Sequence, residues 1–339
     1  MKTQMKHEKI LLSHGSGGKL SHQLIQSFFL PVLENPYLES LDDGAIFSVK
    51  GEAWVMTTDS YVVDPIFFPG GDIGKLAVSG TINDLAVMGA VPRYLSLGMI
   101  IEEGFSFSDL EKILTSIQDT CQQAGVVVVT GDTKVVPRGF MDKLFINTSG
   151  IGRIPDNFRM SRKIQAGDKI LINGTIGDHG TTIMGQREGL KMKSSLTSDC
   201  APLNDLIRLL HPFGQAIRMM RDPTRGGVAT TLNEIAEGTD YGLIMWEENL
   251  PTKAEVSGLC EILGLDPLYL ANEGKVLIIA ESSAAEKILS VLKSHPLGED
   301  AQIIGEVVEE YPGKVVLETQ FGSRRIIDML TGEQLPRIC

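Results

Sequence analysis

Hydrophobic positions along this chain switch repeatedly between a period of two and a period near four. Short β-branched or alternating runs at 45–50, 53–57, 94–101, 126–130 and 144–150 predict strands. Between them, 74–88 reads as a helix carrying Lys75 and Asn83-Asp84. Leu110, Ile113, Leu114, Ile117 and Cys121 form the apolar stripe of a second helix, which Ser108-Asp109-Leu110-Glu111 opens as a capping box and Gly125 ends. Near the N-terminus, Leu20, Leu24, Ile25, Phe28, Phe29 and Val32 follow a glycine-rich loop at helical spacing.

The second half restarts the alternation. Strands are expected at 168–173, 242–246, 275–280, 302–308, 314–318 and 324–328, with helices near 179–188, 203–220, 226–237, 253–263 and 283–294. Between the halves, residues 153–167 carry Arg153, Pro155, Asp156, Asn157, Arg159, Arg162 and Lys163 with little apolar periodicity, which places a domain boundary there. The expected organisation is an arm and helix at 1–36, a strand-rich α+β domain at 37–155, an α/β sandwich with a mixed sheet at 156–330, and a flexible tail at 331–339. That tail could reach roughly 30 Å when extended.

Composition sharpens this only in places. A length of 339 residues, 42% of them hydrophobic, suits two domains with a core each. A formal net charge of −12 argues against a broad nucleic-acid or anionic-membrane surface. Ile10-Leu11-Leu12 is too short an apolar run for a signal peptide, and no stretch reaches membrane-span length, so a cytoplasmic protein is expected. Cys121, Cys200, Cys260 and Cys339 are scattered, against both a structural zinc site and a disulfide framework.

The candidate chemistry centres on Gly131-Asp132-Thr133-Lys134, which ends the valine run 126–129. Asp42-Asp43-Gly44, Thr57-Thr58-Asp59 and Asn83-Asp84 likewise put acids at element ends or on a helix. One such cluster is a turn, whereas four predict a site for hard cations and hence for a polyphosphate. Asp43, Asp59, Asp84 and Asp132 are the expected metal ligands, supported by Asp42 and Asn83. The loop Ser13-His14-Gly15-Ser16-Gly17-Gly18-Lys19 is not a Walker A loop, because Ser13 replaces its first glycine and Leu20 stands where Ser or Thr should bind magnesium. It is either a flexible arm or a loop closing its N–H groups and Lys19 over phosphate. Arg221-Asp222-Pro223-Thr224-Arg225-Gly226-Gly227 opens a helix, a natural anion site, and Ala271-Asn272-Glu273-Gly274 precedes a strand. The six histidines make no zinc grouping, although His14 and His179 sit in glycine-rich loops within reach of a ligand. Cys339, the last residue, is wrongly placed for prenylation, and its own carboxylate raises rather than lowers its thiol pKa. What it offers is reach, as a thiol on a tether.

Together these motifs resemble the ATP-binding family of aminoimidazole ribonucleotide synthetase and selenophosphate synthetase, in the same order and over nearly the whole length. The Ser13–Gly18 loop and the ending Pro336-Arg337-Ile338-Cys339 narrow the resemblance to the branch that matures [NiFe]-hydrogenases. The reactive N-terminal cysteine or selenocysteine of selenophosphate synthetases is missing. The resemblance implies a two-domain PurM-like fold, a homodimer paired through the N-terminal domains, and ATP with Mg²⁺ near that interface. It implies ATP contacts from Gly15, Gly17, Gly18, Lys19, Asp42, Thr58, Lys75, Asn83, Gly131, Thr133, Asp222, Thr224, Arg225, Gly226 and Gly227. It also implies a reaction, dehydration of a carboxamide carried on Cys339, with Lys134 and Glu273 at the dehydration site. The carbamoyl group would come through HypF, and the cyanide product would go to iron on HypC and HypD. Two rival readings are a relative phosphorylating a free small molecule, for which Cys339 would be dispensable, and a non-catalytic assembly scaffold that binds nucleotide only as a conformational switch.

Overall fold

The computed structural model describes residues 9–38, 41–188, 195–330, 332 and 337–339. The chain opens with α1 (Lys19–Leu24), a π-type segment (Ile25–Phe29) and α2 (Leu30–Leu33), none with a buried residue. The apolar residues at helical spacing are not packed into a core: Phe28, Phe29 and Val32 are exposed. The arm is anchored by its glycine loop instead. Lys19 N–H donates to Leu330 O at 2.8 Å, and a Cβ on Gly18 would stand 2.3 Å from that oxygen.

β1 (Ala45–Val49), β2 (Glu52–Tyr61), the ribbon of β3 (Phe67–Phe68) and β4 (Gly71–Asp72), α3 (Ile73–Val87), β5 (Val91–Glu102), α4 (Phe107–Ala124), β6 (Val127–Val136) and β7 (Leu144–Arg153) complete the first half. Its sheet has the order β1-β2-β7-β5-β6. β5 and β6 are parallel because the α4 crossover joins them, while the other neighbours are antiparallel. One face packs on α3 and α4 through residues such as Leu76, Ile82, Leu95, Ile113 and Ile146. The other face is bare, with Met56, Tyr94, Ile100 and Val127 all exposed, and β6 is a free edge.

Asp72 caps α3, its Oδ1 accepting from Gly74 N–H at 2.7 Å and Lys75 N–H at 3.1 Å. The capping box expected at Ser108 is not formed. α4 starts two residues earlier, with Ser106 as its N-cap, so Ser108 lies inside the first turn and pairs its hydroxyl with that of Ser106.

The second half runs β8 (Lys169–Ile172), α5 (Asp178–Arg187), α6 (Asn204–Arg208), β9 (Ile217–Arg221), α7 (Gly227–Glu237), β10 (Gly242–Trp246), α8 (Ala254–Leu263), β11 (Leu277–Ala280), α9 (Ser282–Lys293), β12 (Gln302–Val308), β13 (Val315–Glu318) and β14 (Arg324–Ile327). They build a mixed seven-stranded sheet of order β14-β13-β10-β12-β8-β11-β9. The single helix expected over 203–220 is three pieces. Gly214 at φ 51°, ψ −123° breaks the helical path after Pro212, and the residues beyond it pair with β11 as an edge strand. α3 locks the halves together: Ala86 and Val87 pack with Phe158, Leu203, Leu206 and Ile278. No helix among the described residues is long and apolar enough to cross a membrane.

Candidate functional site

Where the end of β2 and the middle of α3 meet the 221–227 loop, a cavity of about 1250 Å³ opens. Asp43, Asp59, Asp84, Asp222 and Glu273 line its floor, with Arg221, Arg225 and Cys339. Burial raises Asp43 to about 6, and it raises Asp59, Asp84, Asp222 and Glu273 as well, with the neighbouring carboxylates adding to the rise at Asp43, Asp84, Asp222 and Glu273. At Asp59, Arg225 and the neighbouring Asp84 and Tyr61 side chains offset part of that rise. Thr57 Oγ1 donates to Asp84 Oδ2 at 2.7 Å and Tyr61 OH to Asp59 Oδ2 at 3.3 Å, which aims both carboxylates. Arg221 bridges Asp43 at 2.7 Å and Glu234 at 3.0 Å. Burial works against the charge of that guanidinium, and Asp43 and Glu234 outweigh it.

A cluster of buried acids that push one another's pKa up is what a divalent cation would relieve. Among the described residues no three such groups can hold an ion unaided. This suits Mg²⁺, which takes one or two carboxylates and completes its shell with water and phosphate oxygens. At the far end the cavity turns apolar, with Ile25, Leu38, Leu41, Phe47 and Met56, a lining for a flat base.

Many of the sequence-predicted residues meet here. Gly17, Asp42, Thr58, Thr224 and Arg225 line the cavity with the acids. Gly15 and Gly226 line a smaller one of about 60 Å³ beside Arg225 and Cys339. The glycines are required: a Cβ on Gly17 would lie 2.6 Å from Arg225 Cβ, and one on Gly227, at φ +62°, would lie 2.5 Å from Leu268 O and Leu270 O. That close approach opens the N-terminus of α7 to the cavity.

Other predicted residues lie elsewhere within the single chain. Lys19 is exposed on the arm. Lys75 donates to Gly70 O at 2.8 Å and lines a different, exposed depression beside α4. Asn83 is spent on structure, donating to Ala201 O at 3.1 Å and accepting from Leu203 N–H at 2.8 Å. The 131–134 segment is the largest departure. Asp59, Thr148, Leu97 and Gly131 sit in one row across β2, β7, β5 and β6. Three strand spacings make that row about 14 Å long. Gly131 and Thr133 share the face of Asp59, whereas Asp132 and Lys134, one residue out of phase, share the bare face. There they pair with each other at 2.6 Å, both more than two-thirds exposed. A single chain therefore does not bring Asp132, Lys134, Gly131 or Thr133 to the acids.

The described end of the tail is docked. Residues 331 and 333–336 lie outside the described part, so Pro336 is not placed. Val62 N–H donates to Cys339 O at 3.1 Å and Asp64 N–H to Arg337 O at 3.2 Å, extending the path of β2. Arg337 reaches Asp142 at 2.5 Å, and Ile338 is buried in the first core. Burial pushes the Cys339 thiol up to about 12, Arg225 opposing and Glu273, Asp59 and Asp222 adding to it.

Several residues here escaped sequence reasoning. His179 is fully buried and touches the tail rather than a polyphosphate, with Nε2 2.8 Å from Ile338 O. Asp199 pairs with Lys275 at 2.9 Å and accepts from the Glu273 and Gly274 N–H groups at 3.2 Å each. Thr57, Tyr61, Arg221 and Glu234 orient the acids. Thr57 and Arg221 stand inside the acidic and helix-opening motifs and His179 in a glycine-rich loop, but not with these roles; the alternation along β2, which puts Thr57 and Tyr61 on the face of Asp59, is the signal that could have found Tyr61.

Residues 41–154 match the family of AIR synthase related protein, N-terminal domain, and residues 165–318 its C-terminal domain. A carbamoyl dehydratase HypE of Bradyrhizobium diazoefficiens is 51% identical, across 97% of this chain and 95% of its own. Among solved structures, a HypE–HypF complex is similar at 48% identity and a TM-score of 0.85, covering 91% of this chain and 99% of that one. A HypE in complex with ATP is similar at 49% identity and a TM-score of 0.81, covering 98% and 100%.

Proposed function

This chain belongs to the AIR synthase related family, within its carbamoyl dehydratase HypE branch, and we propose that it converts an S-carboxamide on its own Cys339 into a thiocyanate at the expense of ATP. The product supplies cyanide for [NiFe]-hydrogenase iron. The observation that carries the reading is the docked C-terminus: a terminal thiol lies among Glu273, Asp59, Asp222 and Arg225 on the floor of an acid-lined, nucleotide-sized cavity.

The docked sulfur is a neutral thiol and a poor nucleophile. The carbamoyl group therefore arrives while the tail is out, from a carbamoyltransferase such as HypF, and re-docking carries the carboxamide in. ATP lies with its base at the apolar end and its phosphates over the acids and the α7 N-terminus. Asp43, Asp59, Asp84 and Asp222 would hold Mg²⁺ ions, one or two carboxylates to each, which when bound would neutralise the phosphates and the acids together. The carboxamide oxygen accepts the γ-phosphoryl group and ADP leaves. Glu273, whose Oε1 has no hydrogen-bond partner and which Arg225 and the bound cations would hold ionised against its burial, takes an N–H proton. The C–O bond breaks to release phosphate, the C≡N bond closes, and the second N–H proton leaves with phosphate or to water. Arg225 steadies the charge on the departing oxygens.

Lys134 and Asp132 come from a second copy. Their exposure on a free edge, beside the bare face with Met56, Tyr94 and Ile100, suits a cytoplasmic homodimer in which each chain completes its partner's site. HypC and HypD take the cyanide.

The test is mass spectrometry of peptide 334–339 after incubation with HypF, carbamoyl phosphate and Mg-ATP. The expected record is gain of a carbamoyl group, then loss of one water only when ATP is present. Water loss on Cys121, Cys200 or Cys260, or thiocyanate from the Cys339→Ala protein, would refute the reading.

A further inference from the structure

We propose that His179 is a positioning residue for the carrier tail, and that the Ser198-Asp199 pair makes tail docking and Glu273 placement one structural event. The assignment rests on Cys339 as the carrier.

His179 lies in the first turn of α5 with no exposed surface, its ring edge-on to Phe68 at 5.5 Å. A carbonyl can only accept, so the 2.8 Å contact with Ile338 O requires the proton on Nε2. Burial lowers the imidazole pKa and keeps the ring neutral, so Nδ1 is an acceptor. Ser198 Oγ, 2.8 Å away, supplies the matching O–H. Ser198 is held in turn: its N–H donates to Pro69 O at 2.8 Å, and its Oγ accepts from Cys200 N–H at 3.1 Å. The ring is thus locked from behind, and what it grips is the carbonyl one peptide unit before Cys339. That grip decides where the sulfur lies.

The next residue does the same for the proton acceptor. Asp199 accepts from the backbone N–H groups of Glu273 and Gly274 and from Lys275 Nζ at 2.9 Å. A Cβ on Gly274 would lie 1.9 Å from Asp199 O, so the two turns pack backbone to backbone. Two adjacent residues therefore fix the sulfur through His179 and Glu273 through its own amide. Shifting the 198–199 turn moves both reacting partners together.

The test uses full-length His179→Ala, His179→Gln and Ser198→Ala proteins. The rate of Cys339 alkylation by iodoacetamide is read on peptide 334–339, with buried Cys121 as the folding control. Dehydration is followed in a single turnover after Cys339 has been S-carbamoylated with cyanate. Losing one buried hydrogen bond should speed Cys339 alkylation about tenfold in the Ala variants and slow dehydration at saturating ATP at least as much. The ATP concentration for half-maximal rate should stay within about twofold. Gln, which keeps an N–H donor, should restore most of the protection and of the rate. Unchanged Cys339 alkylation in folded His179→Ala and Ser198→Ala overturns the proposal. So does a Gln variant as impaired as Ala, or a loss of rate confined to ATP affinity. Protection that depends on His179 while no protein makes thiocyanate upholds the clamp and sinks the dehydratase reading instead.

Discussion

Replacing Asp43 with Asn should shift the stability of the metal-free protein in the variant's favour, relative to wild type, by an amount that grows with pH, on top of a pH-independent cost for weakening the Arg221 pair. Asp43 titrates at about 6 in the fold against an ordinary 3.8, because burial and then Asp42 and Asp59 oppose its charge more than Arg221 supports it. A raised carboxyl contributes stability that is complete below 3.8 and is lost as pH rises through about 6. The gap of about 2 pKa units is worth about 3 kcal/mol over the whole titration. At pH 5 the unfolded chain has already lost most of this proton while the fold keeps about nine-tenths of it, so about 1.4 kcal/mol is lost between pH 5 and pH 8. Buried His179 and His211 have lowered pKa values and push the other way below their ordinary 6.5, so the quantity to follow is the difference between wild type and variant, in which they cancel. Thermal unfolding in EDTA should show the Asn protein gaining about 3–6 °C on wild type from pH 5 to pH 8. Millimolar Mg-ATP at pH 8 should then stabilise wild type and leave Asp43→Asn little changed. A difference independent of pH, or one that shrinks as pH rises, would show that Asp43 is not held against its charge and would remove the argument for a cation there.

Glu273→Gln should bind ATP normally yet lower single-turnover dehydration by about 10²–10⁴-fold, since the amide keeps the shape and cannot take the proton; a loss under fivefold would exclude it as the base. Mixing Lys134→Ala with Glu273→Gln chains should recover about a quarter of wild-type activity, because random pairing makes half the dimers mixed and each has one intact site. No recovery after subunit exchange would put Lys134 in the same chain's site. Gly227→Ala should destabilise the second half by more than about 2 kcal/mol in denaturant melts, as a left-handed residue whose Cβ meets two carbonyl oxygens at 2.5 Å. Wild-type stability would deny that the α7 entrance depends on that close approach.

Much of the chain was legible without coordinates. Period-two runs marked most of the strands, because one buried face demands alternation. Asp43, Asp59, Asp84 and Asp132 stood out because carboxylates have little reason to accumulate at the ends of core elements, and three of the four line the cavity while Asp132 does not. The failures are equally physical. The helix expected over 203–220 was undone by Pro212 and Gly214 and by an edge pairing with β11 that no local period announces. The arm's apolar residues Phe28, Phe29 and Val32 keep helical spacing and yet are bare, since the pattern cannot say which surface will cover them.

The site divides along the same line. Sequence alone determined which residues could carry the chemistry, because a carboxylate, a tethered thiol or a glycine at a helix start has its character wherever it sits. Which of them meet was decided by tertiary structure. The strand order places Gly131 about 14 Å along the row from Asp59 and turns the next residue, Asp132, to the opposite face. A buried imidazole, isolated in the sequence, holds the carbonyl beside the terminal cysteine at 2.8 Å. Both outcomes depend on contacts between residues dozens to hundreds of positions apart, and those exist only once the two sheets and α3 have packed.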